Sequence, residues 1–273
     1  KAEGLIELAP SSRRYPTFRF EQVRDSGRDV LKIKGVKKAF GDNQVLHGVD
    51  LLVQRGERLA IMGPNGIGKS TLLKIVMGEL DADEGQVDWG YETHPAYFAQ
   101  DHRGEFDPPH NTAEGWVWDS CPDRDIGYVR ARMALMLFSG DDSKKRLTAL
   151  SGGEAARLVF TRLSIARPNV LVLDEPTIGI DPIQVVETRQ LIRDLGGEHT
   201  LIISTHILPE VSMICERVII IHEGQIVAID RPENLASRLL GSEHIELDVK
   251  GPQRDVLRQL RDIDGVQEVR RAP

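Results

Sequence analysis

Residues 59–71 read Leu59-Ala60-Ile61-Met62-Gly63-Pro64-Asn65-Gly66-Ile67-Gly68-Lys69-Ser70-Thr71. The four apolar residues at the start predict a short buried strand, and the apolar residues at positions 72, 73, 75, 76 and 80 recur at helical spacing. The glycines between them allow the backbone to wrap a dense anion, and the N–H groups and the positive end of the helix dipole favour phosphate there. The stretch therefore predicts a strand, a phosphate-binding loop and a helix in succession, within an α/β fold.

The side chains of this loop predict ATP and Mg²⁺ as its ligands. We call residues 63–71 the P-loop and expect all of them to contact the nucleotide. Lys69 is expected to reach the β- and γ-phosphates, and the Ser70 hydroxyl to bind Mg²⁺. A bare match to this pattern can arise by accident, but the strand before it and the helix after it argue against that reading.

A second stretch has two carboxylates at the end of a buried strand, and it reads Val170-Leu171-Val172-Leu173-Asp174-Glu175. Ligands of parallel α/β sheets bind at the carboxyl ends of the strands. We expect Asp174 to hold Mg²⁺ through a water molecule and Glu175 to polarise the water that attacks the phosphate. Two carboxylates at the end of a strand are common and do not by themselves indicate a function. Their occurrence together with the P-loop is what indicates a role in ATP hydrolysis.

A third stretch, Leu150-Ser151-Gly152-Gly153-Glu154, opens a helix. Serine at this point is often only a helix cap. Two glycines in the first turn, however, weaken a helix by roughly 1 kcal/mol each relative to alanine. That cost is understandable if the backbone must approach a phosphate closely.

These three stretches together resemble the ATP-binding cassette (ABC) family, in which Leu-Ser-Gly-Gly-Glu precedes the apolar-Asp-Glu strand. The resemblance covers about residues 29–240 and implies an ATPase. It also implies that Gln100 senses Mg²⁺ and the γ-phosphate, that Asp181 is the D-loop aspartate, and that His206 contacts the γ-phosphate. Phe40 stands where the family has an aromatic residue that stacks on adenine, although a phenylalanine on a strand is more often part of the core.

The family resemblance also implies how a complete site is assembled. In this family, the segment corresponding to Ser151, Gly152 and Gly153 faces the P-loop of a second cassette. This chain has one such segment and one P-loop. A second cassette, either another copy or a tandem domain of a parent chain, is therefore an expected partner.

The expected architecture is an α/β cassette with a mostly parallel core sheet, an antiparallel β subdomain and a helical subdomain over residues 101–165. Residues 1–28 are expected to be a linker, and residues 29–240 the ATPase domain. Residues 241–273 are expected to form a partial βαβ appendage, with a strand over His244–Val249, a helix over Gln253–Leu260 and a strand over Val266–Arg270. We expect the chain to be a piece of a longer protein.

Composition and charge narrow the function classes. No run of 18 apolar residues is present, so no membrane span is expected, and the two cysteines at 121 and 215 form neither a disulfide framework nor a metal motif. The net charge of −7 argues against general binding to nucleic acid. Residues 1–38 nevertheless carry ten Lys/Arg and five Asp/Glu, and such a basic arm can contact RNA or lipid phosphates or be only a solvated linker.

Two branches of the family are represented along the chain. Residues 1–175 resemble the second cassette of ABC-F proteins, which are tandem ATPases that act on ribosomes; the resemblance is carried by Tyr97–His102, Met136–Asp142 and Leu150–Leu158. Residues 178–273 resemble the ATPase subunit of multidrug or gliding-type exporters, through Thr177–Pro182 and Ser204–Glu210. An ABC-F protein would read Asn-His-Leu-Asp at 178–181, and this chain does not. A natural fusion, an engineered chimera and a misassembled reading frame all remain open.

The resemblance therefore implies two sets of partners. One is the ribosome or RNA, for a cytoplasmic protein. The other is a membrane permease, for a subunit at the inner face of the membrane. The linker and the region between Gln100 and Ser151 favour the ribosome. A nucleotide switch without hydrolysis is disfavoured because Glu175 and His206 are both present.

Overall fold

The fold is described from a computed structural model, over residues 20–106, 111–121, 123–195, 199–239, 256–257, 259–260 and 263. The strands are β1 (Asp29–Phe40), β2 (Asn43–Gln54), β3 (Arg58–Met62), β4 (Glu84–Trp89), β5 (Pro95–Phe98), β6 (Val170–Asp174), β7 (Thr200–Thr205), β8 (Arg217–His222) and β9 (Gln225–Asp230). The α-helices are α1 (Lys69–Val76), α2 (Ala113–Asp119), α3 (Ile126–Leu135), α4 (Gly152–Ala166), α5 (Pro182–Leu195), α6 (Leu208–Ile214) and α7 (Pro232–Leu239).

The described strands form two sheets. The larger has the order β5-β6-β7-β3-β8-β9, and all of its pairs are parallel except the last. The smaller has the order β2-β1-β4 and is antiparallel. The predicted α/β class, with a mostly parallel core sheet and a separate antiparallel subdomain, is confirmed. β3, β6 and β7 are almost fully buried, as their continuous apolar runs predict.

The antiparallel sheet extends further than the sequence pattern predicts. The apolar pattern predicts a first strand over Leu31–Gly35 only, whereas β1 begins at Asp29 and continues to Phe40. The pairing register shifts between Ile33 and Val36, and Gly35, with φ of 57°, donates its N–H to Asp50 at 2.9 Å. This bulge interrupts the alternation of buried and exposed residues. The apolar alternation therefore stops at the bulge, whereas the strand itself continues with a shifted register.

A group of helices follows β5 and corresponds to the predicted helical subdomain. α2, α3 and α4 pack on one another around the buried side chains of Trp116, Val129 and Met133. The sequence pattern predicts a helical stretch near Val129–Phe138, whereas α3 begins at Ile126 and ends at Leu135. Asp125 caps it by accepting the N–H of Tyr128 at 3.0 Å, and a polar cap of this kind fixes the start of a helix more firmly than apolar spacing does.

The chain divides into two compact units, one ending at Pro232 and the other beginning at Glu233. The division falls at the start of α7, whereas the sequence suggested residue 240 as the end of the ATPase domain. In the second unit, residues 256–257 and 259–260 are helical, within the predicted helix, and the two strands predicted over His244–Val249 and Val266–Arg270 lie outside the described residues. Of the predicted linker, residues 20–28 are described, and they contain neither helix nor strand.

None of the helices among the described residues has both the length and the apolar character needed to cross a membrane.

Candidate active site at the carboxyl edge of the core sheet

The P-loop connects β3 to α1 and packs closely against the antiparallel sheet. Gly68 has φ of 105°, which disfavours any other residue, and a Cβ there would lie 2.8 Å from Val45 Cγ1. A Cβ on Gly63 would lie 2.7 Å from the carbonyl oxygen of Ile221. The loop borders a cavity of about 250 Å³ that is also lined by Gln100 and Glu175. The glycines therefore let the backbone form a tight cradle, which fits a triphosphate group.

Lys69 is the buried cation of this cradle. Its side chain is only 4% exposed, and its Nζ donates to the carbonyl oxygens of Gly63 at 2.8 Å and Pro64 at 3.1 Å. The same Nζ lies 3.1 Å from Glu175 Oε1. A buried ammonium is stable only when paired, and this lysine is paired both with its own loop and with the end of β6.

Three oxygen-bearing side chains predicted to hold Mg²⁺ lie together beside the P-loop. Ser70 Oγ is 3.1 Å from Asp174 Oδ1 and 3.4 Å from Gln100 Oε1. They come from the start of α1, the end of β6 and the loop after β5, so adjacent strand ends bring them together. Mg²⁺ prefers hard oxygen ligands and commonly uses only one or two carboxylates. This donor set fits Mg²⁺, and the described residues contain no cluster of three or more His, Cys, Asp or Glu side chains that would favour another metal.

Tyr97, on β5, supports Asp174 from the neighbouring strand. Its hydroxyl donates to Asp174 Oδ2 at 3.3 Å. Burial, and then the negative charges of Asp174 and Glu79, raise the pKa of Tyr97 well above its ordinary value. The phenol therefore keeps its proton and remains a donor. We did not predict this contact, because only the pairing of β5 with β6 brings the two residues together.

Glu175 lies between a lysine and a histidine. Its carboxylate is 4% exposed, with Oε1 at 3.1 Å from Lys69 Nζ and Oε2 at 2.9 Å from His206 Nδ1. Oε1 is buried and makes this ion pair but no well-aligned hydrogen bond, so part of its acceptor capacity is unused. Its backbone is in the left-handed region, with φ of 46°, which is uncommon for glutamate and typical of strained functional positions.

Ser204 fixes the turn at the end of β6. Its hydroxyl donates to Asp174 Oδ1 and accepts the backbone N–H of Glu175 at 3.0 Å. Ser204 is fully buried on β7, next to β6 in the sheet. A single side chain therefore orients both acidic residues, and this residue was also missed by the sequence reasoning.

The segment predicted to face another nucleotide lies at the start of α4. Ser151 caps the helix by accepting the N–H of Glu154 at 3.2 Å, and Glu154 Oε2 accepts the N–H of Ser151 at 2.8 Å. Burial opposes ionisation of Glu154, but hydrogen bonds from Lys145 and Ser151 outweigh it and lower the pKa of this carboxyl. Ser151 is exposed, as a residue that contacts a second cassette must be.

The two glycines of this segment have a structural reason that we did not predict. The backbone N–H of Gly153 donates to Gln184 Oε1 at 3.1 Å, and a Cβ on Gly153 would overlap that carboxamide. A Cβ on Gly152 would lie 3.0 Å from the carbonyl oxygen of Gly179. The small residues thus also allow α4 to lie against the loop that leads into α5.

Two further predicted residues are on the surface. Phe40 ends β1 and is 51% exposed, with Lys38 Nζ 5.7 Å from its ring centroid. The alternative of a core phenylalanine is therefore wrong, and the ring is accessible for stacking. Asp181 is exposed immediately before α5, where its carbonyl oxygen accepts the N–H of Val185 at 2.9 Å.

Comparison with known proteins places the sequence among ATP-binding proteins. The sequence profile of a family described as "ABC transporter" matches residues 46–178. The probable ATP-binding protein YbiT of Escherichia coli O157:H7 is 37% identical over 225 residues, which are 82% of this chain and 42% of that protein. ABC transporter F family member 2 of Arabidopsis thaliana is 33% identical, over 82% of this chain and 33% of that protein.

A second kind of relative matches over most of its own length. Nod factor export ATP-binding protein I of Ralstonia nicotianae is 30% identical, over 84% of this chain and 77% of that protein. Among solved structures, cbiO1 from Clostridium perfringens, part of the ABC transporter complex cbiONQ, has a TM-score of 0.63 at 22% identity, covering 86% of this chain and 95% of that one. This likeness supports the fold, whereas the family rests on the sequence matches. The chain spans less than half of the first two relatives.

Proposed function

Since this chain belongs to the family of ATP-binding cassette ATPases, we propose that its P-loop site binds Mg·ATP and that Glu175 activates the attacking water. One observation carries the proposal: the Glu175 carboxylate is buried between Lys69 and His206 at the mouth of the P-loop cavity. A carboxylate held there is within reach of a water next to the terminal phosphate. Its low exposure keeps bulk water from screening that interaction.

The neighbouring side chains have separate roles in the proposed step. Lys69 and the P-loop N–H groups bind the β- and γ-phosphates, while Ser70, Gln100 and Asp174 hold the metal ion. When bound, Mg²⁺ neutralises charge that develops on the phosphate oxygens. Glu175 accepts the proton of the water, and His206, in contact with that carboxylate, orients it and faces the γ-phosphate. Phe40 stacks on the adenine ring through its exposed face.

We further propose that the complete site is formed by two cassettes in a head-to-tail arrangement. Ser151, the N–H groups of Gly152 and Gly153, and Asp181 then act on the nucleotide held by the partner's P-loop. Ser151 is exposed at the start of α4, where a phosphate brought by another molecule can approach the helix. The N–H of Gly153 donates to Gln184 Oε1, so it would exchange that acceptor for the phosphate on assembly. The arrangement applies equally to a second copy of this chain and to a tandem domain.

The proposed biological setting is an ABC-F-like ATPase that acts in the cytoplasm on ribosomes. It is supported by the basic linker and by the ABC-F resemblance of residues 1–175. The alternative is the ATPase subunit of an exporter, and it is supported by the exporter-like sequence from residue 178 and by the relative that matches over most of its length. Sedimentation with purified ribosomes at two salt concentrations separates them. Co-sedimentation with Mg·ATP is expected, and binding to a co-expressed membrane permease instead would favour the exporter.

The hydrolytic proposal is tested by Glu175→Gln, which keeps the shape of the side chain and removes the base. We expect steady-state ATP turnover to fall about 10²–10⁴-fold. Binding of a fluorescent ATP analogue is expected to persist, because the P-loop contacts are unchanged. Gln190→Glu is a control, since this side chain on α5 bonds to Asp194 and Arg193 of its own helix. Wild-type turnover in Glu175→Gln would remove Glu175 as the base.

A further inference from the structure

A buried carboxylate outside the proposed site connects the two turns that carry Glu175 and His206. Glu210, in the first turn of α6, is 3% exposed. Its Oε1 accepts hydrogen bonds from Thr177 Oγ1 at 2.6 Å and from Arg189 at 2.9 and 3.1 Å. Its Oε2 accepts one from Thr205 Oγ1 at 2.8 Å. Four donors from three separate segments therefore converge on one side chain.

The Thr205 contact fixes the backbone on both sides of His206. The Thr205 hydroxyl donates to Glu210 and also accepts the backbone N–H of Ile207 at 3.1 Å. His206 lies between these two residues in the sequence. Its position over the sheet edge is therefore set by a hydroxyl whose own proton is directed at Glu210.

The contact between Thr177 and Glu210 fixes the turn that follows Glu175. Thr177 follows Glu175 by two residues, is 6% exposed and donates to Glu210. The turn is closed by the N–H of Ile178, which donates to the carbonyl oxygen of Glu175 at 3.0 Å. Movement of this turn would break a buried hydrogen bond to a charged acceptor, which is stronger than one between neutral groups.

Arg189, on α5, supplies the charge that allows a carboxylate to be buried at this point. It donates through Nε and Nη2 to the same oxygen of Glu210. A buried carboxylate without a counterion would be expensive. This ion pair also connects Glu210 to α5, the helix that follows the loop carrying Asp181.

We propose that Glu210 is a positioning residue that holds His206 and Glu175 in contact for ATP hydrolysis. The proposal rests on the proposed function of that pair, because Glu210 acts through them and does not touch the nucleotide. Among the described residues, its carboxylate accepts a hydrogen bond from each of the two turns, in addition to the link that Ser204 makes between the strand ends. It therefore helps to hold the 2.9 Å contact between Glu175 and His206. Displacements of about 1 Å can cost an enzyme on the order of a hundredfold in rate.

The test replaces Thr205 rather than Glu210, because removal of a buried carboxylate can prevent folding. Thr205→Val keeps the shape and removes the hydroxyl, while Thr205→Ser keeps the hydroxyl. Thr200→Val is the matched control: Thr200 is equally buried at the other end of β7, and its hydroxyl accepts the N–H of Gly56 at 2.9 Å. All three chains are compared with wild type in ATP turnover, in the KM for ATP and in urea unfolding.

For Thr205→Val we expect kcat to fall about tenfold with KM changed by less than about twofold. Thr205→Ser is expected to restore at least about half of wild-type kcat, and Thr200→Val to retain it while losing similar stability. Equal kcat in Thr205→Val and Thr200→Val would overturn the proposal. A rise in KM that accounts for the whole loss of kcat/KM would overturn it too, because it would point to nucleotide binding.

A second measurement separates positioning from general stability. In a His206→Ala background, Thr205→Val is expected to lower kcat by less than about twofold, because the residue it positions is gone. A full tenfold loss in that background would contradict the proposal. Glu175→Gln is assayed beside these variants. If it keeps wild-type turnover, the proposed function fails, whereas normal loss in Glu175→Gln with no effect of Thr205→Val overturns only the role of Glu210.

Discussion

The P-loop side and the α4 side of this cassette differ in how their polar groups are held. On the P-loop side, Lys69, Asp174 and Glu175 are at most 4% exposed and are bonded to one another or to adjacent strand ends. On the α4 side, Ser151 is exposed, and the first-turn N–H groups are engaged within the chain, by the Ser151 cap and by Gln184. The first side is therefore preorganised for chemistry, and the second is suited to contact with another molecule.

The difference has an energetic origin. Buried charges act strongly on a nearby phosphate because little water screens them, but each needs a partner to be tolerated. Lys69 and Glu175 provide those partners for each other, and the more exposed His206 contacts the second oxygen of Glu175. The exposed α4 groups are screened and individually weak, so they gain strength only when a second surface excludes water. Variants on the two sides are accordingly expected to fail in different ways.

The largest effect on binding is expected from Lys69→Ala, on the P-loop side. It removes the buried cation and leaves Glu175 without its ion pair, so ATP affinity is expected to fall roughly 30-fold or more. Titration with a fluorescent ATP analogue measures the loss. Lys74→Ala, an exposed lysine in the last turn of the same helix, is the control and is expected to bind normally. Equal affinity of the Lys69 variant and the control would contradict the assigned role.

An intermediate effect of a different kind is expected from Gly153→Ala, on the α4 side. The added Cβ overlaps the Gln184 carboxamide, which can move aside, and alanine favours the helix by roughly 0.5–1 kcal/mol. Folding and ATP binding by the monomer are therefore expected to stay near wild type. Assembly with Mg·ATP is expected to weaken about tenfold, because the methyl group keeps a phosphate away from the helix N–H groups.

A second glycine-to-alanine change, Gly68→Ala, is expected to affect stability rather than assembly. Gly68→Ala, in the P-loop, forces a side chain into a left-handed backbone against Val45 and is expected to destabilise the fold itself. Urea unfolding and light scattering measured on both variants separate loss of stability from loss of assembly. Loss of ATP binding in Gly153→Ala would contradict the expectation that the α4 side contributes to assembly and not to ATP binding by the monomer.

The smallest effect is expected from Tyr97→Phe. It removes the 3.3 Å hydrogen bond to Asp174 and is expected to raise the Mg²⁺ concentration needed for nucleotide binding by up to about tenfold. Fluorescence titration with Mg²⁺ at fixed nucleotide measures this change. An unchanged Mg²⁺ dependence would mean that Asp174 is oriented by Ser204 and Ser70 alone.

The same variant has an expected signature at alkaline pH. Because the pKa of Tyr97 is raised in the folded state, the unfolded chain loses this proton first, from about pH 10 upward. The free energy of unfolding of the wild type is therefore expected to fall with rising pH above that point. In Tyr97→Phe this part of the decline is expected to be absent, and parallel urea titrations of the two proteins between neutral and alkaline pH would measure the difference.

Sequence patterns predicted the elements next to the motifs well and the irregular ones poorly. Apolar runs in the sequence predict strands over Arg58–Ile61, Val170–Leu173, Leu201–Ser204 and Arg217–His222. The observed β3, β6, β7 and β8 agree with these bounds to within a residue at each end, because polar residues or a glycine follow each run. β4 and β5 were not predicted, since six and four residues give little periodicity. The second half of β1 was not predicted, because the bulge at Gly35 breaks the alternation of buried and exposed residues.

The sequence indicated residues that the structure brings together at the candidate site, but not the contacts that connect them. Local motifs pointed to Ser70 and Asp174, the family resemblance pointed to Gln100, and the strand order brings the three together. The contacts of Tyr97, Ser204 and Glu210 join segments distant in sequence, and no local spacing encodes them. The glycines at 152 and 153 were assigned to phosphate approach, and the structure adds a packing contact within the chain.

The central claim is that one cassette contributes the P-loop side and a second contributes the α4 side of the same ATP site. Sedimentation of the Glu175→Gln chain with and without Mg·ATP tests it most directly, because this variant is expected to bind ATP without consuming it. We expect a monomer without nucleotide and a dimer with Mg·ATP. A monomer in both conditions, at concentrations above about tens of micromolar, would contradict assembly of the site from two copies of this chain.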